Sequence, residues 1–283
     1  MVTIGPKVSR MPVAFARCRV PAMYLSLVVL LAGIVLTAAG WWGAPTDALG
    51  RLGIVAGLAL FVLSFVVTVA SPRARVEPAV LTSPVLGEWM AAHSPASRVP
   101  SQGTHAWGQT YAIDLVYAPT GVDRPRFADG SGSFLGPGRF PGFGQPVLAP
   151  AAGIVVHVTD GAKDHRSRSS RRAIACMFLE GAAREIWGPR AVFGNHVVIR
   201  LSDGTHVLVA HLRRGSIRVA EGQSVEAGVV MAACGNSGHS TEPHVHMQRQ
   251  DLASPYVALG LPWTLEGAPM PASGEFLARV SAR

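Results

Sequence analysis

The sequence is poor in charged residues and in cysteine. It also lacks a nucleic-acid-binding motif and the helical zinc-binding motif of zincin-type proteases. Of its 283 residues, 15% are charged and three are cysteines. The formal charge of +8 and the pI of 10.2 suggest nucleic acid, but no binding motif or interleaved aromatics accompany them, so we expect no nucleic-acid partner. No His-Glu-x-x-His segment occurs, which argues against a helical zincin-type protease.

The few cysteines leave their roles open. Cys18, beside the first long apolar run, could be acylated or be an inert thiol. Cys176 and Cys234 could form a disulfide in an exported domain, or remain unpaired as small apolar side chains.

Charge is missing altogether from two long runs near the amino end. Neither Val20 to Thr46 nor Leu52 to Pro72 contains Asp, Glu, Lys or Arg. About 20 apolar residues suffice to cross a hydrocarbon core of about 30 Å, and no periodic polar face interrupts either run. We therefore predict two transmembrane helices over residues 21–72, preceded by a basic N-terminal flank over residues 1–20.

The most informative motif of the chain is a pair of histidines, in Pro243-His244-Val245-His246. In a β-strand, His244 and His246 would share one face, because side chains alternate with period two. An isolated pair of this kind is more often two surface histidines on an edge strand. Imidazole is also a standard zinc ligand, so the surrounding sequence decides between the two readings.

Two further segments supply the other groups of a metal site. His211 ends the second of two β-rich runs joined by Ser202-Asp203-Gly204-Thr205, which is a hairpin signal. His105 and Asp114 lie further upstream. Catalytic zinc usually takes three protein ligands and keeps one position for water, a count that two histidines and one carboxylate match. Two histidines then remain for proton transfer.

A series of short segments occurs in a fixed order between about Pro150 and Gln248. They are Ala149-Pro150-Ala151-Ala152-Gly153, Gly194-Asn195-His196-Val197-Val198-Ile199, Ala210-His211-Leu212, Glu221-Gly222-Gln223-Ser224-Val225-Glu226-Ala227-Gly228, Gly235-Asn236-Ser237-Gly238 and His244-Val245-His246. Together they resemble the M23 family of zinc metallopeptidases, the lysostaphin-type or LytM-type peptidoglycan endopeptidases. The resemblance implies that His246 binds zinc, and that His211 and His244 lie beside the metal without binding it.

The sequence departs from this family at one ligand position. The family usually has a His, three residues and then Asp, but Thr110 stands four residues before Asp114. Some members resemble this chain in a Gln-x-Tyr-Ala-x-Asp pattern, here Gln109-Thr110-Tyr111-Ala112-Ile113-Asp114, and carry a histidine further upstream. We therefore predict His105, Asp114 and His246 as the ligands of Zn²⁺. The alternative is a surface histidine at position 105 in a metal-poor pseudoenzyme.

The chemistry expected of an intact site follows from the metal. Zinc lowers the pKa of bound water toward neutrality and polarises a scissile carbonyl. His211 and His244 suit general-base and oxyanion-stabilising work, and the sequence does not assign one role to each. By the family resemblance, the substrate is the peptide of peptidoglycan, cleaved in its stems or cross-links.

The charges that flank the hairpin conflict with such a substrate. Basic residues precede the first span and follow the second: Lys7, Arg10, Arg17, Arg19, Arg73 and Arg75. The positive-inside tendency would keep both flanks, and with them the domain, in the cytoplasm. Peptidoglycan lies outside, so we predict an integral protein of the cell membrane with an extracytoplasmic domain, against the charge pattern.

Beyond the hairpin the sequence predicts an all-β fold. From Val147 onward, short β-rich runs alternate with glycine turns, as in a β-sandwich or barrel-sandwich. We expect a linker over residues 73–100, in which Val76 to Pro100 is extended or forms a short helix against the domain. A metallopeptidase domain over residues 101–270, with an insertion at 161–193, and a C-terminal tail over residues 271–283 complete the predicted organisation.

Two other functions compete with a hydrolase. Thr110 at a usual ligand position is compatible with an inactive relative that binds cell wall or activates a partner hydrolase. The segments around Gly153 and Gly228 also resemble biotinyl and lipoyl carriers and transporter adaptors. Carriers present a modifiable lysine on a tight hairpin, and the domain has no lysine beyond Lys163. An adaptor has no reason to keep His211, His244 and His246 together.

Overall fold

The computed structural model describes residues 10–41, 46–69 and 76–277, as a helical hairpin followed by a mainly β domain. The helices are α1 (Arg10–Gly40), α2 (Asp47–Val69), α3 (Arg171–Ile186) and α4 (Pro189–Phe193). The strands are β1 (Ala79–Leu81), β2 (Trp89–His93), β3 (Ile113–Tyr117), β4 (Pro146–Leu148), β5 (Gly153–Thr159), β6 (Asn195–Arg200), β7 (His206–Leu212), β8 (Ser224–Val225), β9 (Val230–Ala233), β10 (Val245–Gln250), β11 (Gly260–Leu261) and β12 (Trp263–Leu265). Short 3₁₀ turns cover Ala106–Tyr111 and Pro137–Arg139.

Parts of the predicted segments lie outside these ranges. They are residues 1–9 of the basic flank, 42–45 and 70–72 of the hairpin, 73–75 of the linker and 278–283 of the tail.

The hairpin packs through glycines. A Cβ atom at Gly33, Gly50 or Gly57 would collide with the backbone of the opposite helix, and small residues of this kind let two helices approach closely. Arg17–Gly40 and Asp47–Val69 have mean hydropathies of 2.3 and 2.6, and among the described residues these two are long and apolar enough to cross a membrane. Length and composition thus agree with the predicted hairpin.

The main sheet has the strand order β2-β3-β10-β7-β6-β5-β8, and β11 pairs with the last residues of β10. One face carries the principal core, to which the main strands contribute alternate residues such as Ile113, Val209 and Met247. Two small sheets, parallel β1–β12 and antiparallel β4–β9, add further core residues, among them Leu81 and Met231. The predicted all-β fold behind a helical hairpin is confirmed.

One segment differs from its expected form. Val76 to Pro100, predicted as a linker or a short helix, contains β1 and β2, and β2 pairs with β3 in the main sheet. The apolar residues Trp89 and Ala91 explain this difference, because both are buried in the principal core. The insertion at 161–193 joins the paired strands β5 and β6, and it contains α3 and α4.

The first helix also contacts the domain. Arg17 forms an ion pair with Asp251 at 2.6 Å, and the ring of Tyr24 stacks on Tyr256 with centroids 5.4 Å apart. Tyr256 in turn meets Trp107 edge to face at 5.1 Å. The beginning of the apolar run is therefore packed beside the 3₁₀ turn that holds Trp107.

The three cysteines, all within the described ranges, are free thiols.

Candidate metal centre

Asp114 occupies the middle of a row of polar residues across three neighbouring strands. In β3 its neighbours Ile113 and Leu115 face the core, so alternation turns Asp114 to the opposite face. On β10 the same alternation buries Val245 and Met247 in the core and turns His246 to the side of Asp114. His246 therefore lies on the same face of the sheet as Asp114.

The carboxylate of Asp114 is surrounded by nitrogen atoms. Its Oδ1 lies 2.8 Å from His246 Nδ1 and 3.7 Å from His244 Nε2. Its Oδ2 lies 3.0 Å from His93 Nδ1 and accepts a hydrogen bond of 2.9 Å from Gln102 Nε2. Burial opposes ionisation, but the charge of His244 and the hydrogen bonds with His246 and His93 outweigh it and hold the pKa of Asp114 well below its usual value.

His211 reaches the same place through an irregularity in β7. The pairing of β6 with β7 shifts between Asn195 and Val197, so that β7 contains one extra residue between Val209 and Leu212. Such a bulge reverses which residues face the core: Val209 and Leu212 both lie in it, and His211 turns away from it. The φ of His211 is +60°, a left-handed conformation that costs energy in a non-glycine residue and is common at functional sites.

The outer nitrogen of His246 is fixed by a glutamine. Gln248 Nε2 donates to the carbonyl of Trp107 at 2.8 Å and to Gln250 Oε1 at 2.6 Å. The amide oxygen of Gln248 therefore faces His246 Nε2, at 2.9 Å, and accepts a hydrogen bond from its N–H. In a neutral ring with its proton on Nε2, Nδ1 presents a lone pair to Asp114.

Backbone carbonyls fix the other two imidazoles in the same way. His211 Nδ1 donates to Ser237 O and His244 Nδ1 donates to Glu242 O, both at 2.8 Å. Each ring keeps its Nε2 as an acceptor, and the two ring centroids are 4.6 Å apart. Burial and then the charges of His244 and His246 hold the pKa of His211 well below its usual value, and burial lowers the pKa of His244 although Asp114 opposes the shift. Both rings are therefore neutral bases at neutral pH.

The structure brings together Asp114, His211, His244 and His246 among the five predicted site residues. For His105 it shows a hydrogen bond between Nδ1 and Thr110 Oγ1 at 3.1 Å, so that histidine contacts the residue at the departing ligand position. Sequence reasoning missed His93, which lies in the stretch predicted as a linker. The alternation of Trp89 and Ala91 was a strand signal, but it would have pointed His93 toward the core.

The donors suit a divalent cation such as Zn²⁺. His246 Nδ1 and Asp114 Oδ1 are both acceptors when the ring is neutral, and two acceptors 2.8 Å apart need a proton or a cation between them. Imidazole nitrogen and carboxylate oxygen are ordinary zinc donors. Within the described residues, no three His, Cys, Asp or Glu side chains are placed to hold one metal ion together. Asp114 and His246 thus supply two donors, and the side-chain positions leave the third ligand to be identified.

Residues 179–256 match the family model described as Peptidase family M23. This segment is similar to peptidase family M23. The M23 segment begins inside α3 and includes His211, His244 and His246, whereas Asp114 and both upstream histidines precede it. The recognition of this family from the sequence is confirmed.

Solved structures of M23-type proteins resemble the chain at low identity. Lysostaphin from Staphylococcus simulans is 20% identical over 53% of this chain, with a TM-score of 0.31, and the chain spans 41% of its length. The catalytic domain of the prophage-encoded M23 protein EnpA from Enterococcus faecalis is 18% identical over 67% of this chain and 92% of its own, with a TM-score of 0.33. A zinc-containing peptidase from Vibrio cholerae is 19% identical over 66% of this chain and 41% of its own, also with a TM-score of 0.33.

Proposed function

We propose that this protein is a membrane-anchored, zinc-dependent endopeptidase that hydrolyses peptide bonds in peptidoglycan stems or cross-links. The observation that carries the proposal is the set of inward-facing acceptors: Asp114 Oδ1, His246 Nδ1 and the Nε2 atoms of His211 and His244. Similarity of the M23 segment to a peptidase family supports the reaction class. The substrate class comes from the family resemblance and from the description of lysostaphin as an antimicrobial peptidase.

The residues divide into two groups by their hydrogen bonds. Asp114 and His246, together with a third imidazole, would hold the zinc, which when bound supplies an acidified water and a Lewis acid for the scissile carbonyl. His211 and His244 keep a free Nε2 and neutral rings, so either can accept the proton of the attacking water and return it to the leaving amine. Their donation to fixed carbonyls keeps each ring oriented during both transfers.

The hairpin supports a membrane anchor. Two helices of suitable length and hydropathy precede the domain, and α1 packs on the domain through Arg17 and Tyr24. We place the domain outside the cytoplasm because its proposed substrate lies there, although the basic flanks oppose this orientation.

Hydrolysis of purified peptidoglycan by the full chain in detergent micelles tests the proposal. We expect zinc-dependent release of new amino groups, lost in His211→Ala and in His244→Ala because each removes an inward-facing base. His239→Ala is the matched control, since His239 lies in the same loop region and is not one of the site residues. Absence of turnover by zinc-loaded parent protein on several wall types would refute the enzymatic function.

One observation favours the alternative of an inactive scaffold. Thr110 stands where the family usually has an imidazole, and Gln102, a residue that cannot replace it on zinc, donates to Asp114 instead. A scaffold would bind peptidoglycan without turnover, and the assay above separates the two functions when sedimentation with insoluble wall is measured alongside.

A further inference from the structure

We propose that the insertion between β5 and β6 carries a binding site for the phosphate headgroup of an anionic phospholipid, in the membrane that holds the hairpin. The site depends on the membrane anchor of the proposed function, but it needs neither turnover nor zinc. It gives the basic insertion a ligand class and sets one face of the domain against the bilayer surface.

A cavity of about 400 Å³ lies between the insertion and the loop that precedes β10. Cations and one aromatic ring dominate its lining, which includes Lys163, His165, Arg184, Trp187, Arg190 and Gly238. No acidic residue is among the described residues that line it. A phosphate group complements such a lining, because cationic nitrogens donate short, charge-assisted hydrogen bonds to its oxygens.

Two of these cations are open to an anion from outside the protein. Lys163 and Arg190 are exposed, and neither forms an ion pair with another described side chain. Arg184 is held beside them, because its guanidinium donates to the carbonyl of Gly238 at 2.9 Å. The cavity therefore presents two uncompensated charges next to a fixed third one.

Two acidic residues of the insertion have partners of their own. Asp164 accepts hydrogen bonds from the backbone N–H groups of Arg214 and Asn236, at 3.0 and 2.7 Å. Glu180 forms an ion pair with Arg168 at 2.7 Å. Neither carboxylate lines the cavity, so an entering anion meets cations first.

The cavity lies beside the first helix of the hairpin. Gly188, which follows Trp187, faces the ring of Tyr256, since a Cβ built on it would lie 3.6 Å from Cε2 of that ring. Tyr256 stacks on Tyr24 of α1. Val20, one turn earlier in α1, belongs to the same buried cluster as two residues of α4, the helix that follows Gly188. The wall of the cavity and the start of the apolar run thus share their contacts.

These contacts set the cavity at the level of the membrane surface. About 20 helical residues cross the hydrocarbon core, and that length, counted back from Gly40 at the end of α1, reaches the turn that holds Tyr24. The next apolar side chains are exposed, Leu25 by 55% and Val28 by 63%. Trp187 is 77% exposed, and tryptophan and tyrosine are enriched at membrane–water interfaces. Basic residues near that surface attract anionic headgroups.

Titration of the full chain with phosphatidylglycerol tests the site. The protein is held in micelles of a nonionic detergent at low salt, bound lipid is counted by native mass spectrometry, and phosphatidylcholine is the zwitterionic comparison. We expect Lys163→Ala/Arg190→Ala to weaken the tightest binding of phosphatidylglycerol about 30-fold, because each cation near an anionic lipid contributes roughly five- to sixfold. Binding of phosphatidylcholine should be unchanged.

Two further variants define the result. Arg126→Ala/Arg218→Ala loses the same charge from exposed residues outside the lining, so it should bind phosphatidylglycerol within about twofold of the parent, because distant charges are screened. Trp187→Phe reports the location: the fluorescence that it lacks relative to the parent should be quenched by brominated phosphatidylglycerol. That quenching should disappear in Lys163→Ala/Arg190→Ala.

The outcomes separate the lipid site from its rivals. Equal weakening in the two double variants, or equal parental affinity for the two lipids, would overturn the site. Tighter binding of soluble poly(glycerol phosphate), at equal phosphate, would assign the cavity to a wall polymer and overturn the lipid, and displacement of the lipid by equimolar inorganic phosphate would reduce it to a simple anion site. A full chain that stays monodisperse without detergent would instead overturn the membrane anchor, and none of these results bears on peptide hydrolysis.

Discussion

Gln248 offers the sharpest test of how the centre is organised. It is fully buried, and it links His246 Nε2 to the Trp107 carbonyl and to Gln250 Oε1. Gln248→Met keeps the length of the side chain and removes all three hydrogen bonds. His246 then loses the acceptor that fixes its proton on Nε2, and the proton can move to Nδ1, where it donates to Asp114 and blocks metal binding.

The expected magnitudes follow from these contacts. Loss of an outer partner of a metal-binding histidine typically weakens metal affinity 10- to 100-fold, or about 1.4–2.7 kcal/mol. Each buried polar group left unpaired costs roughly 1–3 kcal/mol, and the substitution strands three of them. At the lower end of that range, we expect the free energy of unfolding to fall by about 3 kcal/mol.

Zinc competition and urea unfolding separate the two effects. Gln250→Met is the matched control, because Gln250 is equally buried and donates to the carbonyls of Leu252 and Ala253 but does not touch His246. It should lower stability and leave zinc affinity within about threefold of the parent, far less than the loss of an outer partner. Unchanged affinity in Gln248→Met, or an equal loss in both variants, would refute the role assigned to the glutamine.

Two other predictions concern stability. Gly238, with φ +75°, lies so close to the backbone of Phe193 and Gly194 that a Cβ would collide, so Gly238→Ala should lower the free energy of unfolding in urea by about 2 kcal/mol or more. Gly204, with φ +81°, has open space around it, so Gly204→Ala should cost only the left-handed strain of about 1 kcal/mol. Equal costs in the two variants would contradict the collision. Burial opposes ionisation of Asp203, but hydrogen bonds from Thr205 and the buried Arg249 outweigh it and lower the pKa of its carboxyl. This stabilisation is complete above the unfolded-state pKa and is lost as the pH falls through the lower folded-state value. Asp203→Asn should therefore be less stable than the parent at pH 7 and should lose less stability below pH 4. Parallel curves of unfolding free energy against pH for the two proteins would contradict a stabilising role of the Asp203 carboxylate.

Contacts between the helical hairpin and the domain lead toward the candidate site. Tyr24 stacks on Tyr256, Tyr256 meets Trp107, and the carbonyl of Trp107 holds Gln248. Trp107 has a φ of +59°, so the 3₁₀ turn that joins these contacts is held in a conformation that non-glycine residues rarely adopt. His105 directly precedes this turn and contacts Thr110 within it, in agreement with the burial of that histidine.

Sequence reasoning was most successful where strict alternation holds. His244 and His246 lie beside and in β10, where Val245 and Met247 are apolar and face the core, so the period of two predicts a shared face for this pair. The hydrophobic runs of the hairpin were equally readable, because length and lack of charge need no tertiary information. The two strands before residue 100 could not be predicted from the sequence. They are short, and they become strands of a sheet only by pairing with distant segments: β2 with β3, and β1 with β12.

The sequence by itself predicted the all-β class, the apolar hairpin and a shared face for His244 and His246. Only the tertiary structure shows how His93 and His211 reach that face, because the orientation of each depends on a bulge. A bulge adds one residue to one strand and reverses the alternation beyond it, and it is defined by the partner strand as much as by the bulged one. The local sequence therefore places both histidines toward the core, and the sheet turns them toward Asp114.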